Sequence, residues 1–87
     1  MNLEECRTRI DQIDEKILEL YLERMNIVIE VAKYKKEQNL PVLHPKREQE
    51  IIVKQRSKAP EELKQYVEAL YQTLMETSRA YQNELLK

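Results

Sequence analysis

The chain has 87 residues, and 36% of them are charged, with 15 basic residues against 16 acidic ones interleaved along the sequence. This length supports a single domain over residues 1–87, and the balanced charge excludes the basic stripe or block typical of nucleic-acid and membrane-surface binders. Cys6 is the only cysteine, which excludes an internal disulfide and a cysteine-based metal cluster.

The amino-terminal residues argue against a targeting segment. Residues 1–5 are acidic and lack the basic start and apolar run of a signal peptide, and no stretch approaches the length of a membrane span. We therefore expect the chain to be the mature protein and to be cytoplasmic, which also agrees with its lone cysteine.

The residue pattern predicts an all-α fold with three helices. The chain has no glycine, helix-favouring residues dominate it, and β-branched residues never alternate with polar ones over the length of a strand. The long first helix carries a seam of residues spaced alternately three and four apart. This seam consists of Leu3, Cys6, Ile10, Ile13, Ile17, Leu20, Arg24, Ile27, Val31 and Tyr34. Pro41 ends the helix, because a proline disfavours the α region at the preceding residue, and Asn39 suits a left-handed terminal conformation.

Two shorter helices follow. Pro45 suits the first turn of a second helix that continues through about Ser57. Pro60 opens a third helix, because the following Glu61 and Glu62 interact favourably with the positive end of the helix dipole. The third helix repeats the seam at Leu63, Val67, Leu70, Leu74, Thr77, Tyr81 and Leu85.

The length of the first helix predicts a homodimer. A helix of roughly 35 residues is about 50 Å long, whereas a compact chain of this size has a radius of gyration of about 12 Å. The seam runs along the whole helix, so the part that extends beyond the globule needs cover from another subunit. A two-fold partner is the simplest source of that cover, and we predict an intertwined helical homodimer.

Cations lie where an apolar core is expected. Arg24 occupies a seam position, where an unpaired buried guanidinium is strongly unfavourable, so it needs an anionic partner. Lys35 follows within roughly 20° of the same direction and about 16 Å further along the helix axis. The alternative for Arg24 is a structural ion pair with an acidic residue such as Asp14, or extension of its side chain into solvent.

Arg7 is a third cation at the edge of the seam, about 25 Å from Arg24 along the same helix. In an antiparallel dimer with its two-fold axis near Leu18, Arg7 of one chain falls opposite about residue 29 of the other, between Arg24 and Lys35. The pattern therefore predicts two composite cationic pockets per dimer, each with an Arg7 from the partner subunit.

Polar residues of the second and third helices complete the candidate set. Arg47 and Glu48 lie in a first helical turn, where free N–H groups can bind a ligand oxygen, although these two residues alone favour a solvated surface pair. Ser78 and Gln82 are four apart on one stripe of the third helix, where an exposed polar edge is the alternative. His44 is favoured as a helix-start or loop residue over a general base.

Taken together, these positions resemble the all-helical class of chorismate mutases over nearly the whole chain. The matching segments are Arg7-x-x-Ile10-Asp11-x-Ile13-Asp14-x-x-Ile17-Leu18-x-Leu20, Glu23-Arg24, Val31-x-x-Tyr34-Lys35, Pro41-Val42, Arg47-Glu48 and Ser78-x-x-x-Gln82. Each segment is weak by itself, but their order and spacing make the match specific. The resemblance implies an enzyme that rearranges chorismate to prephenate in aromatic amino-acid biosynthesis, as a homodimer and without a metal or cofactor.

The resemblance also implies which residues are catalytic. Arg24 and the partner's Arg7 would bind the two carboxylates of the substrate, a task that suits the planar guanidinium group. Lys35 and Gln82 would donate hydrogen bonds to the ether oxygen of the substrate, where negative charge grows as the C–O bond breaks.

Further residues would bind the substrate. Glu48 would accept a hydrogen bond from the ring hydroxyl, Ser78 would assist at a carboxylate, and Arg47 would organise the acidic side of the pocket. His44 stands where family members commonly carry an aspartate that contacts the substrate, so this contact differs from the family pattern.

Two rival functions remain open. A lyase on the same scaffold, which removes pyruvate from isochorismate, could use the same cationic pocket. A non-enzymatic helical dimer that serves as a dimerisation or regulatory module would tolerate apolar residues at positions 24, 35 and 82. The arginine in the seam counts against such a module, because a plain coiled coil favours leucine there.

Overall fold

The computed structural model describes all 87 residues and contains three α-helices and no strand. Helix α1 spans Leu3–Glu37, α2 spans Pro45–Ser57 and α3 spans Lys64–Leu85, and a single 3₁₀ turn at Glu61–Leu63 precedes α3. The predicted all-α class, with a long first helix followed by two shorter ones, is confirmed. None of the helices combines the length and the apolar character needed to cross a membrane.

Local interactions set the two ends of α1. The side-chain oxygen of Asn2 accepts a hydrogen bond from the backbone N–H of Glu5 at 2.8 Å, which satisfies one of the free donors of the first turn. At the other end Asn39 has a φ of 59°, in the left-handed region that asparagine tolerates better than most residues. The chain leaves the helical path before Pro41, as the restriction on Leu40 predicts.

The third helix begins with a tighter turn than the sequence suggested. The N–H of Leu63 donates to the carbonyl oxygen of Pro60 at 2.9 Å, a spacing of three residues, and the regular α-helix starts only at Lys64. Such 3₁₀ turns are frequent at helix starts, where the first N–H groups have no partner in the α pattern. The helical segment therefore opens after Pro60 as predicted, but its first turn is not α-helical.

Helix α3 packs against both α1 and α2, whereas α1 and α2 do not pack directly on each other. The buried residues lie along these contacts and are Val28 and Ala32 of α1, Ile52 of α2, and Met75 and Gln82 of α3. Only these five of the 87 residues are buried, so the single chain encloses a very small core. A core of this size supports a fold weakly, because little apolar surface leaves water.

The amino-terminal half of α1 projects away from the other helices. The molecule measures 53 × 26 × 15 Å, and every residue from 7 to 20 is exposed. This stretch includes Ile10, Ile13, Ile17 and Leu20, which we call the exposed seam and whose side chains are 49–64% exposed. Covering one such side chain contributes about 1–2 kcal/mol. The single chain thus leaves the exposed seam without cover.

Candidate active site

A cavity of about 370 Å³ lies where the three helices approach one another, and its size suits a small organic molecule. Its lining residues are Arg24, Ile27, Val28, Val31, Lys35, His44, Arg47, Glu48, Ile51, Met75, Ser78 and Gln82. Seven of the eight candidate site residues from the sequence are among them. The eighth, Arg7, lies in the projecting half of α1 and does not line the cavity of its own chain.

Helix α1 contributes two cations and the apolar wall between them. Arg24 and Lys35 both line the cavity, as their helical spacing predicts. Val28 and Val31 lie between them, and Val28 is only 6% exposed. Arg24 forms no ion pair with any carboxylate of its own chain, so the alternative of an intrachain structural ion pair is not found.

A backbone carbonyl in the loop between α1 and α2 holds the ammonium group of Lys35. The Nζ atom of Lys35 donates to the carbonyl oxygen of Val42 at 2.7 Å, which leaves two of its three protons for other acceptors. Partial burial lowers the pKa of Lys35 below its usual value of 10.5, and the nearby carboxylate of Glu48 opposes this shift. The ammonium group is therefore short of compensating charge, and a bound anion would supply it.

The start of α2 brings three more polar residues to the cavity. His44 immediately precedes the helix and its side chain caps no backbone group, so it is a helix-start residue that also lines the cavity. Arg47 is exposed, whereas Glu48 is partly buried and pairs with Arg79 of α3. The solvated surface position that the two residues alone favoured is therefore found for Arg47 and is wrong for Glu48.

Helix α3 contributes a buried amide. Gln82 is only 4% exposed, so the alternative of an exposed polar edge is excluded at this position. Its Nε2 donates to Oγ of Ser78 at 3.1 Å, while its Oε1 is buried and has no hydrogen-bond partner. Rotating the amide by half a turn lets the Ser78 hydroxyl donate to Oε1 and frees the NH₂ group. An unpaired buried polar group costs about 1–3 kcal/mol, which a ligand of matching polarity would offset.

The cavity carries an excess of positive charge. Arg24, Lys35 and Arg47 have no ion-pair partner in the chain, and Glu48 is the only acidic residue that lines the cavity. The pairing with Arg79 offsets the charge of Glu48. No group of three or more His, Cys, Asp or Glu side chains is placed to hold a metal ion. The arrangement is suited to binding a small molecule with more than one negative charge.

Two contacts of this site could not be predicted from the sequence. Arg79 carries no local signal that connects it with Glu48, because the two residues are 31 positions apart on different helices. The bond from Lys35 to the carbonyl of Val42 involves a backbone group, which has no signature in the residue type.

Comparison with known proteins identifies similar sequences. The family model described as "Chorismate mutase type II" matches residues 6–83. The chain is 33% identical over 87 residues to a chorismate mutase of Methanocaldococcus jannaschii, a match that covers 98% of this chain and 88% of that protein.

Two longer relatives are named bifunctional chorismate mutase/prephenate dehydratase. The chain is 35% identical over 83 residues to the one from Buchnera aphidicola, and 44% identical over 52 residues to the one from Aquifex aeolicus. These matches cover 93% and 60% of this chain but only 22% and 14% of the two relatives. No solved structure matches the chain at a comparable level of significance.

Proposed function

The chain belongs to the chorismate mutase type II family, and from this premise we propose that its cavity converts chorismate to prephenate. One observation carries the proposal at the level of residues. Arg24 and Lys35 of α1 and Gln82 of α3 line one small cavity with an excess of positive charge. Such a cavity complements a substrate with two carboxylates and a polarised ether oxygen.

The proposed reaction makes limited chemical demands on the protein. It breaks the C–O bond of the enolpyruvyl ether and forms a C–C bond within the same molecule, so no nucleophile, proton transfer or redox partner takes part. The site must hold the flexible dianion in the compact shape in which the reacting carbons meet. It must also stabilise the charge that grows on the ether oxygen more strongly in the transition state than in the ground state.

Four residues bind the two carboxylates and the ether oxygen in this proposal. Arg24 binds one carboxylate, and the partner's Arg7 binds the other. Lys35 donates to the ether oxygen, a role supported by its two remaining protons and by its partial desolvation. Gln82 donates to the same oxygen through its NH₂ group, once the amide has turned so that Ser78 donates to Oε1.

The start of α2 and one turn of α3 bind the rest of the substrate in this proposal. Glu48 accepts a hydrogen bond from the ring hydroxyl. Ser78 lies beside a substrate carboxylate but acts on the substrate by orienting Gln82, because its one hydroxyl proton goes to Oε1 of that amide. Arg47 organises the acidic side of the pocket, and His44 contacts the substrate at the cavity edge. The lining positions of these four residues support the assignment.

A second subunit completes the site in the proposed homodimer. The exposed seam needs cover, and a second groove next to Arg24 continues it with apolar side chains from α1 and α3. Arg7 lies about 25 Å from Arg24 along α1, so it serves the cavity of the other chain and not its own. We place this dimer in the cytoplasm, in agreement with the chain's composition.

Purified protein incubated with chorismate tests the proposed function. We expect loss of chorismate and formation of prephenate, identified by chromatography against the authentic compound. Isochorismate is offered in parallel, and release of pyruvate from it without prephenate formation would replace the mutase by the lyase. A folded protein that converts neither substrate would overturn the enzymatic proposal and favour the non-enzymatic module.

The pH dependence should follow the protonation of Lys35. Gln82 has no proton to lose, so kcat/KM should stay nearly flat from mild acid through neutral pH. Above neutrality it should fall as Lys35 loses its proton, with a midpoint below pH 10.5 because burial lowers the pKa of this lysine. The fall of kcat should lie at higher pH, because the bound dianion raises the pKa of Lys35 in the complex.

Steady-state rates across the pH range measure both profiles, with circular dichroism at each pH as the control for folding. A steep loss of turnover between about pH 6 and 8, where imidazole groups titrate, would contradict the assignment.

A further inference from the structure

Glu48 is held from outside the cavity by an arginine that does not line it. Arg79 Nη1 donates to Oε1 of Glu48, and this ion pair joins the first turn of α2 to α3. The side chains of Arg79 and Glu48 are 31% and 19% exposed, so both are largely shielded from water. Arg79 directly follows Ser78 in the sequence but is not one of the lining residues.

Glu48 also interacts with Lys35, one of the cations that α1 contributes to the cavity. Its negative charge raises the pKa of Lys35, against the larger effect of burial. The carboxylate therefore interacts with two cations, through a direct bond to Arg79 and a longer-range attraction to Lys35. Without the bond to Arg79, the attraction to Lys35 would remain and would favour movement of Glu48 toward it.

We propose that Arg79 is a positioning residue that holds Oε1 of Glu48, so that Oε2 stays available to a hydroxyl group of the bound substrate. The same bond keeps Glu48 from closing onto Lys35 and occupying the ammonium protons that the substrate needs. This proposal rests on the proposed function, since it assigns a support to one of its binding groups.

Activity measurements on matched variants test the positioning role. Arg79→Met should lower kcat/KM by about 10- to 100-fold, the range expected when a binding group loses its orientation. Arg79→Lys keeps a cation near Glu48 and should recover most of this loss. The control is Arg56→Met, which removes the other ion pair between α2 and α3, that with Glu68, at a place outside the cavity. It should leave kcat/KM within about twofold, because an exposed pair contributes little.

A double variant distinguishes action through Glu48 from a general structural effect. Glu48→Gln by itself should lower kcat/KM, and adding Arg79→Met should cause little further loss, because the group that Arg79 positions is already absent. Losses that multiply fully in the double variant would overturn the proposal. So would an Arg79→Met protein with the wild-type kcat/KM.

The titration of Lys35 supplies a readout that does not depend on turnover. NMR of its ε-methylene group follows the pKa directly in the free protein. Glu48→Gln should lower this pKa because the attraction is lost. Arg79→Met should raise it for two reasons, because Glu48 moves closer and because a neighbouring positive charge is removed. The same substitution made in Glu48→Gln measures the charge effect alone, and the positioning role requires a larger rise when Glu48 is present. The other charged or titratable groups around the cavity are Arg24 of α1 and His44 and Arg47 at the start of α2. These are unchanged in both variants.

The two experiments separate failure of this inference from failure of the proposed function. If the wild-type protein does not convert chorismate, the proposed function fails, while the NMR titration still tests the link between Arg79, Glu48 and Lys35. If the wild type is active and Arg79→Met changes the pKa of Lys35 equally with and without Glu48, the positioning role is wrong. Thermal melting of each variant verifies that it is folded.

Discussion

Lys35→Ala is expected to reduce kcat by at least about 10³-fold, because the substitution removes both a donor and a positive charge from the developing oxyanion. The fold should survive the change. Burial already lowers the pKa of Lys35, so the folded chain holds this charge at a free-energy cost that alanine avoids. The bond to the carbonyl of Val42 is lost in exchange, and we expect the free energy of unfolding to change by no more than about 1 kcal/mol.

Lys33→Ala is the matched control. Lys33 lies on the same helix, its side chain is 65% exposed, and it pairs only with Glu30 one turn earlier. This variant should retain wild-type kcat and KM. Steady-state rates, thermal melting and sedimentation of both variants make the comparison, and the assembly state should be unchanged. An Lys35→Ala enzyme within tenfold of the wild type would remove Lys35 from the catalytic assignment.

Mixing two inactive variants is expected to restore activity. Arg7→Ala and Arg24→Ala should each lower kcat/KM by about 10²-fold or more, because each removes a bidentate carboxylate contact. In a mixed dimer, one site combines the intact Arg24 of the first chain with the intact Arg7 of the second. The other site carries both substitutions. With statistical pairing half of the dimers are mixed, and about a quarter of the wild-type activity should return.

The two chains are unfolded together and refolded as a mixture, and each variant refolded alone is the baseline. Arg9→Ala is the control for the projecting half of α1, since Arg9 is exposed and lies outside the predicted seam. It should be active without mixing. Absence of any recovery in the mixture, with sedimentation showing that dimers form, would mean that Arg7 does not serve the neighbouring chain.

Features that depend on a single helix were predicted correctly from the sequence. The continuous helix α1, the break near Pro41 and the helical start at Pro45 all depend on residues close together in the chain, and the structure agrees with each of them. Arg24 and Lys35 line one cavity for the same reason, because helical periodicity alone fixes their relative direction.

The remaining features depend on how separate helices meet. The burial of Gln82 required knowledge that α3 packs against both other helices, since its local neighbours fit an exposed edge equally well. The partial burial of Glu48 and its pairing with Arg79 could not be predicted for a related reason. Arg47 is its neighbour in sequence, but packing of α2 on α3 brings Arg79 closer. Side-chain pairs between helices are set by tertiary packing, which periodicity does not encode.

The small number of buried residues in one chain has a consequence for how the enzyme folds and assembles. If the exposed seam is covered only in the dimer, a newly synthesised monomer gains little free energy from folding. Folding then depends on the encounter of two chains and follows second-order kinetics. Dissociation of the dimer would then coincide with unfolding, so subunits would exchange between dimers no faster than the chains unfold. At low expression, the concentration of active dimer would rise more steeply than the concentration of synthesised chains.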